Sequence, residues 1–265
     1  MSRLKAIVLD LDGTLLNNDS KISAQTKRFL LEQKQQGTRI ILATGRPLNM
    51  TTKFHKELAL DTPIICLNGA LVYDCHQDRV IYHVPLRNYE VDHAHKTVCN
   101  EAELLLYHTS HANFQMKNIS GLKVEDEYPI EKLGCIPEAS ATILKISVYI
   151  KNQKKLERTL NELSRDFELA IWENNFEITK KSVTKWHSLQ VVLKQLEINP
   201  TDVIAFGDGT NDFEMIKNVG IGVAMANAIP SLKVVANFIT LSNDDDGIIH
   251  FIKNYQLNNT LVEID

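Results

Sequence analysis

The residues best suited to chemistry are two aspartates near the start of the chain, Asp10 and Asp12. They follow the apolar run Ala6–Leu9, which is typical of a buried strand. Side chains two residues apart on an extended chain point the same way. Two carboxylates this close repel each other unless a cation lies between them or one holds a proton, and a carboxylate can also attack phosphorus. Gly13 then allows a turn, and Thr14 adds a hydroxyl. The pattern favours a metal site or an acid–base pair over its alternative, a surface turn, in which Asp-Gly is common.

Further polar residues follow other apolar runs that are predicted to be strands. These residues are Thr44, Gly45 and Arg46 after run 39–43, Asn68 after run 63–67, and Asp208, Asn211 and Asp212 after run 202–206. Because the carboxyl ends of parallel strands meet at one edge of a sheet, we expect these side chains to gather with Asp10 and Asp12. Lys185, at the predicted start of a helix, is expected to join them. Such an oxygen-rich set favours Mg²⁺ over zinc, and Mg²⁺ with a lysine is suited to neutralising a phosphate and its transition state.

The order of predicted elements places these residues in an α/β fold. Alternating apolar strands and helices, the pattern of a parallel sheet, occupy residues 1–83 and return at 183–265. Between them, residues 84–182 show paired strands mixed with two helices, the pattern of a small α+β domain. The sequence therefore predicts a Rossmann-like parallel-sheet core domain, formed by 1–83 and 183–265, with an inserted α+β cap domain at 84–182.

Composition and charge exclude several classes of function. The chain has 265 residues, of which 44% are hydrophobic and 23% charged, which is ordinary for a folded globular protein. The formal net charge of −4 gives no indication of nucleic acid or an anionic membrane as partner. The N-terminal apolar run is too short for a signal peptide or a transmembrane helix. The cysteines form no Cys-x-x-Cys pair, which favours reduced thiols and a cytoplasmic location; they are Cys66, Cys75, Cys99 and Cys135. There is no Gly-x-Gly-x-x-Gly or Walker loop, and no Ser-His-Asp set is evident.

Four segments of the chain form an ordered set of motifs. They are Asp10-Leu11-Asp12-Gly13-Thr14-Leu15, then Thr44-Gly45-Arg46, then Lys185, and finally Gly207-Asp208-Gly209-Thr210-Asn211-Asp212. In this order they resemble the four motifs of the haloacid dehalogenase-like hydrolase superfamily, and specifically the Cof-like phosphatases with a type IIB cap. The resemblance covers nearly the whole chain, and the insert between the second and third motifs has the size of a cap. One departure is Trp186, where the family often has glycine; we expect it to pack under the sheet, and lining the substrate entrance is the alternative.

The resemblance implies a division of roles among these residues. Asp10 is the nucleophile that takes the phosphoryl group, and Asp12 is the general acid for the leaving alcohol and then the base that activates water. Mg²⁺ is held by Asp10, Asp208 and the backbone carbonyl of Asp12, and Asp212 supports it directly or through water. The residues implied to hold the phosphoryl group or the substrate are Thr14, Thr44, Gly45, Arg46, Asn68, Lys185 and Asn211.

The resemblance thus implies a Mg²⁺-dependent phosphatase that hydrolyses small phosphate monoesters through an aspartyl-phosphate. Sugar phosphates are the first substrate class, with nucleotides or flavin mononucleotide as alternatives. Two other functions use the same scaffold: a phosphotransferase or phosphomutase, which shares all the core residues, and a non-catalytic protein that binds a phosphorylated metabolite, which predicts the loss of at least one of them. The expected partner is a small phosphorylated metabolite rather than nucleic acid or a membrane. The sequence does not indicate which oligomeric state the protein has.

Two further groups of chelating side chains are predicted to have no catalytic part. The acidic run 244–246 precedes a predicted helix and is expected to cap it rather than bind a metal. The histidine pairs are each without a third ligand nearby and are expected to lie on the surface of the insert; they are His93 with His95 and His108 with His111.

Overall fold

The computed structural model of the protein describes residues 4–118, 130–132 and 141–262. Its strands are β1 (Ala6–Leu9), β2 (Arg39–Leu42), β3 (Ile64–Cys66), β4 (Leu71–Asp74), β5 (Arg79–His83), β6 (Leu104–His108), β7 (Asn113–Asn118), β8 (Ile130–Lys132), β9 (Lys145–Tyr149), β10 (Phe167–Ile171), β11 (Asn175–Lys180), β12 (Val203–Gly207), β13 (Ile221–Ala224) and β14 (Phe238–Ile239). Its helices are α1 (Ala24–Gln35), α2 (Leu48–Glu57), α3 (Asn88–Val98), α4 (Gln153–Leu163), α5 (Lys185–Gln195), α6 (Phe213–Asn218), α7 (Pro230–Val235) and α8 (Gly247–Val262).

The chain folds as two compact units, and the first comprises Met1–Thr44, Phe54–Pro63 and Leu189–Asp265. Its centre is a five-stranded parallel sheet in the order β14-β13-β12-β1-β2. The apolar side chains of β1 and β12 are at most 1% exposed. Burial on both faces explains why these strands appear in the sequence as continuous apolar runs. The last residue of β1 pairs with Phe206 on one side and Leu42 on the other, so the carboxyl ends of β12, β1 and β2 lie side by side.

Two polar residues, Ser23 and Thr184, lie immediately before helices and cap them. The Ser23 hydroxyl accepts the N–H of Thr26 at 3.0 Å and caps α1. The Thr184 hydroxyl accepts the N–H of His187 at 3.2 Å at the start of α5. Gly37 follows the end of α1 with φ +93°, a conformation that favours glycine. Local capping therefore fixes both helix starts.

The second unit comprises Gly45–Lys53 and Ile64–Ser188. Its larger sheet has six strands in the order β10-β11-β9-β6-β7-β8, antiparallel except for the β7–β8 pair. Helices α3 and α4 pack against one face of this sheet. Apolar residues of the helices and strands form the core there, among them Val91, Val98, Leu156, Leu163, Tyr107, Ile146, Val148, Phe176 and Ile178. The paired strands and two helices predicted for the insert are confirmed.

A smaller antiparallel sheet in the second unit has the order β3-β4-β5. Its strands β4 and β5 form a hairpin, and the sheet corrects the predicted place of β3. The sequence predicts β3 as one of the parallel strands, whereas its residue Ile65 pairs antiparallel with Val72 of β4. A short apolar run does not specify its partner, and the hairpin that follows immediately offers the nearest one. The predicted domain boundaries at 83/84 and 182/183 stay a prediction.

Two expectations concern membrane-spanning helices and the redox state of the cysteines. Among the described helices, none has both the length and the apolar character needed to cross a bilayer. Cys66, Cys75 and Cys99 carry thiols rather than disulfides, and Cys135 lies outside the described residues. The cytoplasmic location stays a prediction.

Candidate active site

Three carboxylates meet at the carboxyl edge of the parallel sheet in the first unit. Asp10 directly follows β1, Asp208 directly follows β12, and Asp212 ends the short 3-10 turn Thr210–Asp212. One oxygen from each of the three lies within 4.8 Å of the others. Asp10 is 5% exposed and Asp212 is fully buried, while Asp208 is half-buried. The pairing of β1 with β12 thus brings together acids from the two ends of the chain.

Hydrogen bonds hold two of these carboxylates in place. Asp212 Oδ2 accepts the backbone N–H groups of Asp208 and Gly209, each at 3.0 Å. The Thr14 hydroxyl donates to Asp208 Oδ1 at 3.0 Å. The hydroxyl hydrogen of Thr14 is thus donated to Asp208, and the predicted contact of Thr14 with phosphate stays a prediction. Thr14 therefore supports the carboxylate cluster.

Two glycines allow this close approach. Gly13 has φ +74°, and a Cβ added to it would lie 2.7 Å from Asp208 Cγ. A Cβ added to Gly207 would lie 2.6 Å from both Cβ and Cγ of Asp212. Any larger residue would force the acids apart, so both glycines are required by the packing around the carboxylates.

The chemistry of this donor set fits a hard divalent cation. Two unit charges about 4.8 Å apart repel by about 3 kcal/mol at an effective dielectric constant of about 20, and a cation between them removes that repulsion. The three donors are all carboxylate oxygens, which Mg²⁺ and Ca²⁺ prefer. Asp12 is exposed and its carboxylate is not one of the three. Its predicted metal contact, through the backbone carbonyl, stays a prediction.

Thr44 and Asn211 lie at the same edge of the parallel sheet. Thr44 is 1% exposed and follows Ala43, whose N–H donates to the carbonyl of Leu9 at 2.9 Å. This bond extends the pairing of β1 with β2 up to Thr44. Asn211 is half-buried in the same short turn as Asp212. The structure therefore gathers these two predicted residues with the carboxylate cluster.

The other four predicted site residues, Gly45, Arg46, Asn68 and Lys185, belong to the second unit. Lys185 is fully buried and is the first residue of α5. Asn68 lies in a turn after β3, where Leu67, Asn68 and Gly69 all have positive φ values of +53°, +57° and +96°. The N–H of Leu67 donates to the carbonyl of Arg46 at 3.1 Å.

The turn at Asn68 packs directly on the start of α5. A Cβ added to Gly69 would lie 2.6 Å from the carbonyl carbon of Thr184, the residue before Lys185. The Ser188 hydroxyl donates to the carbonyl of Gly69 at 2.5 Å. Strained left-handed backbone of this kind costs about 1–3 kcal/mol per residue and clusters at functional sites. The structure thus brings Asn68 and Lys185 together within the second unit.

Sequence reasoning missed two charged residues that contact this group. Lys145 forms an ion pair with Glu177 and also donates to the carbonyl of Gly45 at 2.7 Å. The Asn68 amide donates to Glu177 Oε2 at 2.7 Å. The available signal was alternation, because Lys145 and Ser147 lie between apolar residues of a predicted strand. That pattern identifies a polar face but not what the face contacts.

The chain matches a known protein family over most of its length. Residues 7–252 fit the family model described as haloacid dehalogenase-like hydrolase. The chain belongs to this family. The resemblance predicted from the four motifs is thereby confirmed, and the protein is a haloacid dehalogenase-like hydrolase.

Relatives of this hydrolase carry the names of phosphatases. The 5-amino-6-(5-phospho-D-ribitylamino)uracil phosphatase YitU of Bacillus subtilis is 30% identical, over 94% of this chain and 96% of the relative. The pyridoxal phosphate phosphatase YbhA of Escherichia coli is 26% identical, over 94% of this chain and 97% of the relative. The predicted enzyme class, a hydrolase of the phosphatase type, agrees with these relatives.

Solved structures share the fold of this hydrolase. A haloacid dehalogenase-like hydrolase from Bacteroides thetaiotaomicron superposes with a TM-score of 0.83 at 28% identity, covering 96% of this chain and all (100%) of the other. A subclass IIB sugar phosphatase superposes with a TM-score of 0.82 at 24% identity, covering 95% of this chain and 99% of the other. The predicted fold class, a parallel-sheet α/β core with a cap, is confirmed.

The acidic run before α8 also bonds to another helix. The Asp246 carboxylate accepts hydrogen bonds from the hydroxyls of Ser23 at 2.5 Å and Thr26 at 2.9 Å, at the start of α1. The predicted capping of α8 stays a prediction. The backbone N–H of Asn18 donates to Asp244 Oδ1 at 2.9 Å. Since the described residues form one candidate metal group and it does not include this run, these acids tie the α1 entry to the C-terminal segment.

His108 corrects the expectation that the histidines of the insert are surface residues. It is 3% exposed, and its Nδ1 and Nε2 lie 2.7 Å from Asn113 Oδ1 and 2.8 Å from Ser147 Oγ. Burial, and then the nearby Lys145 ammonium, lower the pKa of His108 to about 3. The imidazole is therefore neutral at physiological pH. His111 is exposed, as expected.

Proposed function

We propose that this hydrolase is a Mg²⁺-dependent phosphatase that cleaves small phosphate monoesters, foremost sugar phosphates, through an aspartyl-phosphate. The observation that carries the proposal is the cluster of Asp10, Asp208 and Asp212, with one oxygen of each within 4.8 Å of the others. Three carboxylates at the carboxyl edge of a parallel sheet suit phosphoryl transfer, since such a reaction needs charge neutralisation and an oxygen nucleophile.

In this proposal Asp10 is the nucleophile and Asp12 moves the proton. The Asp10 carboxylate attacks phosphorus, and the bond from phosphorus to the ester oxygen breaks. Asp12 gives its proton to that oxygen, so the alcohol leaves and an aspartyl-phosphate remains on Asp10. Asp12 then takes a proton from water, whose oxygen attacks phosphorus. Inorganic phosphate leaves and the Asp10 carboxylate is restored.

The positions of the two acids support these roles. Asp10 is 5% exposed and belongs to the cluster, where an adjacent cation favours the ionised form needed for attack. Asp12 is exposed, which suits a group that exchanges protons with the leaving alcohol and with water. Mg²⁺ bound by Asp10, Asp208, Asp212 and the backbone carbonyl of Asp12 would neutralise charge on the phosphoryl oxygens.

The remaining predicted residues are proposed to hold the substrate. The Thr44 hydroxyl and the Lys185 ammonium are assigned to the phosphoryl oxygens, and Asn211 orients the phosphate or Lys185. Lys185 is fully buried, and a buried ammonium is stable only beside anionic or polar partners. Gly45, Arg46 and Asn68 are assigned to the substrate as well. Two relatives are named for small phosphorylated substrates, 5-amino-6-(5-phospho-D-ribitylamino)uracil and pyridoxal phosphate, which supports a small phosphate monoester as the substrate.

The test compares Asp10→Asn with the unaltered protein, using p-nitrophenyl phosphate with Mg²⁺ and with EDTA. We expect Mg²⁺-dependent turnover in the unaltered protein and a loss of at least about 10³-fold in the variant, because the amide is a poor nucleophile. Asp61→Asn is the matched control, since Asp61 is an exposed acid of the same unit that pairs with Arg39. Undiminished Mg²⁺-dependent turnover of Asp10→Asn would refute the nucleophile assignment.

A second measurement identifies the intermediate directly. Acid-quenching the enzyme during turnover and reducing it with borohydride should convert the acyl phosphate of Asp10 into homoserine, detectable by mass spectrometry of the peptide. An unmodified Asp10 peptide after such trapping, in an enzyme that turns over, would contradict the covalent route. The expected product is inorganic phosphate, rather than a sugar phosphate formed by transfer to an added sugar.

A further inference from the structure

The larger sheet of the second unit has one apolar and one polar face. Ile146 and Val148 of β9 belong to the core under α3 and α4. Lys145 and Ser147 alternate with them and therefore lie on the opposite face. Glu177 of β11 pairs with Ser147 in the sheet and shares that face.

Lys145 and Glu177 form an ion pair on this polar face although both side chains are largely buried. The Lys145 side chain is 2% exposed and the Glu177 side chain 16%. Withdrawing two charges from water carries a penalty that their attraction often fails to offset, and apolar residues of similar volume would serve stability as well or better. Stability alone therefore gives a poor account of this pair.

The hydrogen bonds of the pair leave it able to bind one more group. Glu177 Oε1 accepts from Lys145 and from Ser147 at 3.1 Å, and Oε2 accepts from Asn68 at 2.7 Å. Lys145 donates to Glu177 and to the carbonyl of Gly45. An ammonium has three hydrogens and a carboxylate about four acceptor positions. Within the described part of the chain, one hydrogen of Lys145 and one acceptor position of Glu177 are left over.

A neighbouring donor and acceptor suit a hydroxyl group, which accepts one hydrogen bond and donates another. Both protein groups are charged, and hydrogen bonds to charged groups are about twice as strong as neutral ones. Their low exposure strengthens the interaction further.

The pair contacts two residues that the sequence independently predicts for substrate binding. Lys145 bonds Gly45, which follows Thr44, and Glu177 bonds Asn68. The Asn68 turn in turn packs on the residue before Lys185. The polar face is thus one hydrogen bond away from groups assigned to the substrate.

We infer that Lys145 and Glu177 are specificity-determining residues that bind a hydroxyl group on the leaving-group side of the substrate. The ligand class is a polyhydroxylated phosphate ester, such as a sugar or polyol phosphate. This inference rests on the proposed phosphatase function and adds the residues that select its substrate.

The test compares two substrates that differ only in hydroxyl groups, sorbitol 6-phosphate and hexyl phosphate, with p-nitrophenyl phosphate as a third probe. The unaltered enzyme should prefer sorbitol 6-phosphate in kcat/KM. Glu177→Gln should lower kcat/KM for sorbitol 6-phosphate by about 10- to 100-fold, the loss expected for one hydrogen bond to a charged group. The values for the other two probes should change by less than about threefold.

Two further variants separate recognition from folding. Lys145→Met combined with Glu177→Met removes both charges, so no unpaired charge stays buried, and the same selective loss is expected. Glu101→Gln is the control, because Glu101 forms ion pairs with Lys155 and Arg158 elsewhere in the same unit. It should leave all three kcat/KM values unchanged.

Several results would overturn the inference. An unaltered enzyme without preference for sorbitol 6-phosphate over hexyl phosphate would do so. An equal loss for all three probes would show a structural role, and no loss would show that the pair is not used. If the unaltered enzyme fails to cleave p-nitrophenyl phosphate with Mg²⁺, the proposed function fails first, and the inference with it.

Discussion

Asp208→Asn tests the carboxylate cluster through protein stability, independently of turnover. The substitution removes one charge but keeps the Oδ1 acceptor for the Thr14 hydroxyl, which lies 3.0 Å away. Repulsion between two of these carboxylates is about 3 kcal/mol at 4.8 Å. Because Asp208 is half-buried, solvent screening reduces the relief to on the order of 1 kcal/mol. In EDTA, the variant should therefore unfold roughly 2–4 °C above the unaltered protein.

The same reasoning sets the response to Mg²⁺. At 100 times its Kd, a ligand that binds only the folded state adds about 2.7 kcal/mol, which corresponds to roughly 5–10 °C in a chain of this size. The unaltered protein should gain this increment in thermal melts with added MgCl₂, and Asp208→Asn should lose most of it. Asp61→Asn, which alters a surface ion pair with Arg39, should keep the full increment. A variant that melts earlier in EDTA and still gains the full increment would refute the cluster as a cation site.

Three other predictions concern stability. Folding holds His108 neutral, with a pKa of about 3 against about 6.5 unfolded, so the stability is complete above pH 6.5 and falls by up to about 1.4 kcal/mol per pH unit below it. His108→Gln should flatten that slope in urea unfolding between pH 7 and 4, and an unchanged slope would contradict the burial argument. Gly69→Ala places a Cβ 2.6 Å from the carbonyl carbon of Thr184 and should cost roughly 2–4 kcal/mol, whereas Gly37→Ala, with a similar φ but open space, should cost about 1 kcal/mol; equal losses in thermal melts would argue against the clash. Asp246→Ala removes two hydroxyl hydrogen bonds and should cost about 1–2 kcal/mol by urea unfolding, and an unchanged midpoint would show that these bonds are not needed.

The parallel sheet and its edge residues could be predicted because their signals are local. β1 and β12 are buried on both faces, so each appears as an uninterrupted apolar run that ends in acids and glycines. Parallel strands end at the same edge, which is sufficient to expect Asp10 beside Asp208. The caps at Ser23 and Thr184 are local as well, since each side chain accepts a backbone N–H three residues away.

The partner of β3 and the Lys145–Glu177 ion pair could not be predicted, because both depend on contacts between distant parts of the chain. The partner of β3 depends on which strands compete for its edge, and three apolar residues carry no information about that. Lys145 and Glu177 are 32 positions apart, and Glu177 and Asn68 are 109 apart. Hydrophobic periodicity predicts the strands that carry Lys145 and Glu177 and the face on which each side chain lies. Their contacts, however, follow from the order of the strands in the sheet. The prediction that His108 lies on the surface is wrong, because the polarity of a residue does not by itself report its burial.

The sequence by itself determined the α/β class, the four motifs and the acids that follow β1 and β12, because strand burial and turn chemistry act over a few residues. Only the tertiary structure decided that Asp10, Asp208 and Asp212 share one cluster, while Asp12 lies outside it and the Thr14 hydroxyl is engaged with Asp208. It also decided that a buried ion pair contacts Gly45 and Asn68. The physical reason is the same in each case: charges and hydrogen bonds act across space, and side chains from distant parts of the chain meet only when the strands that carry them pair.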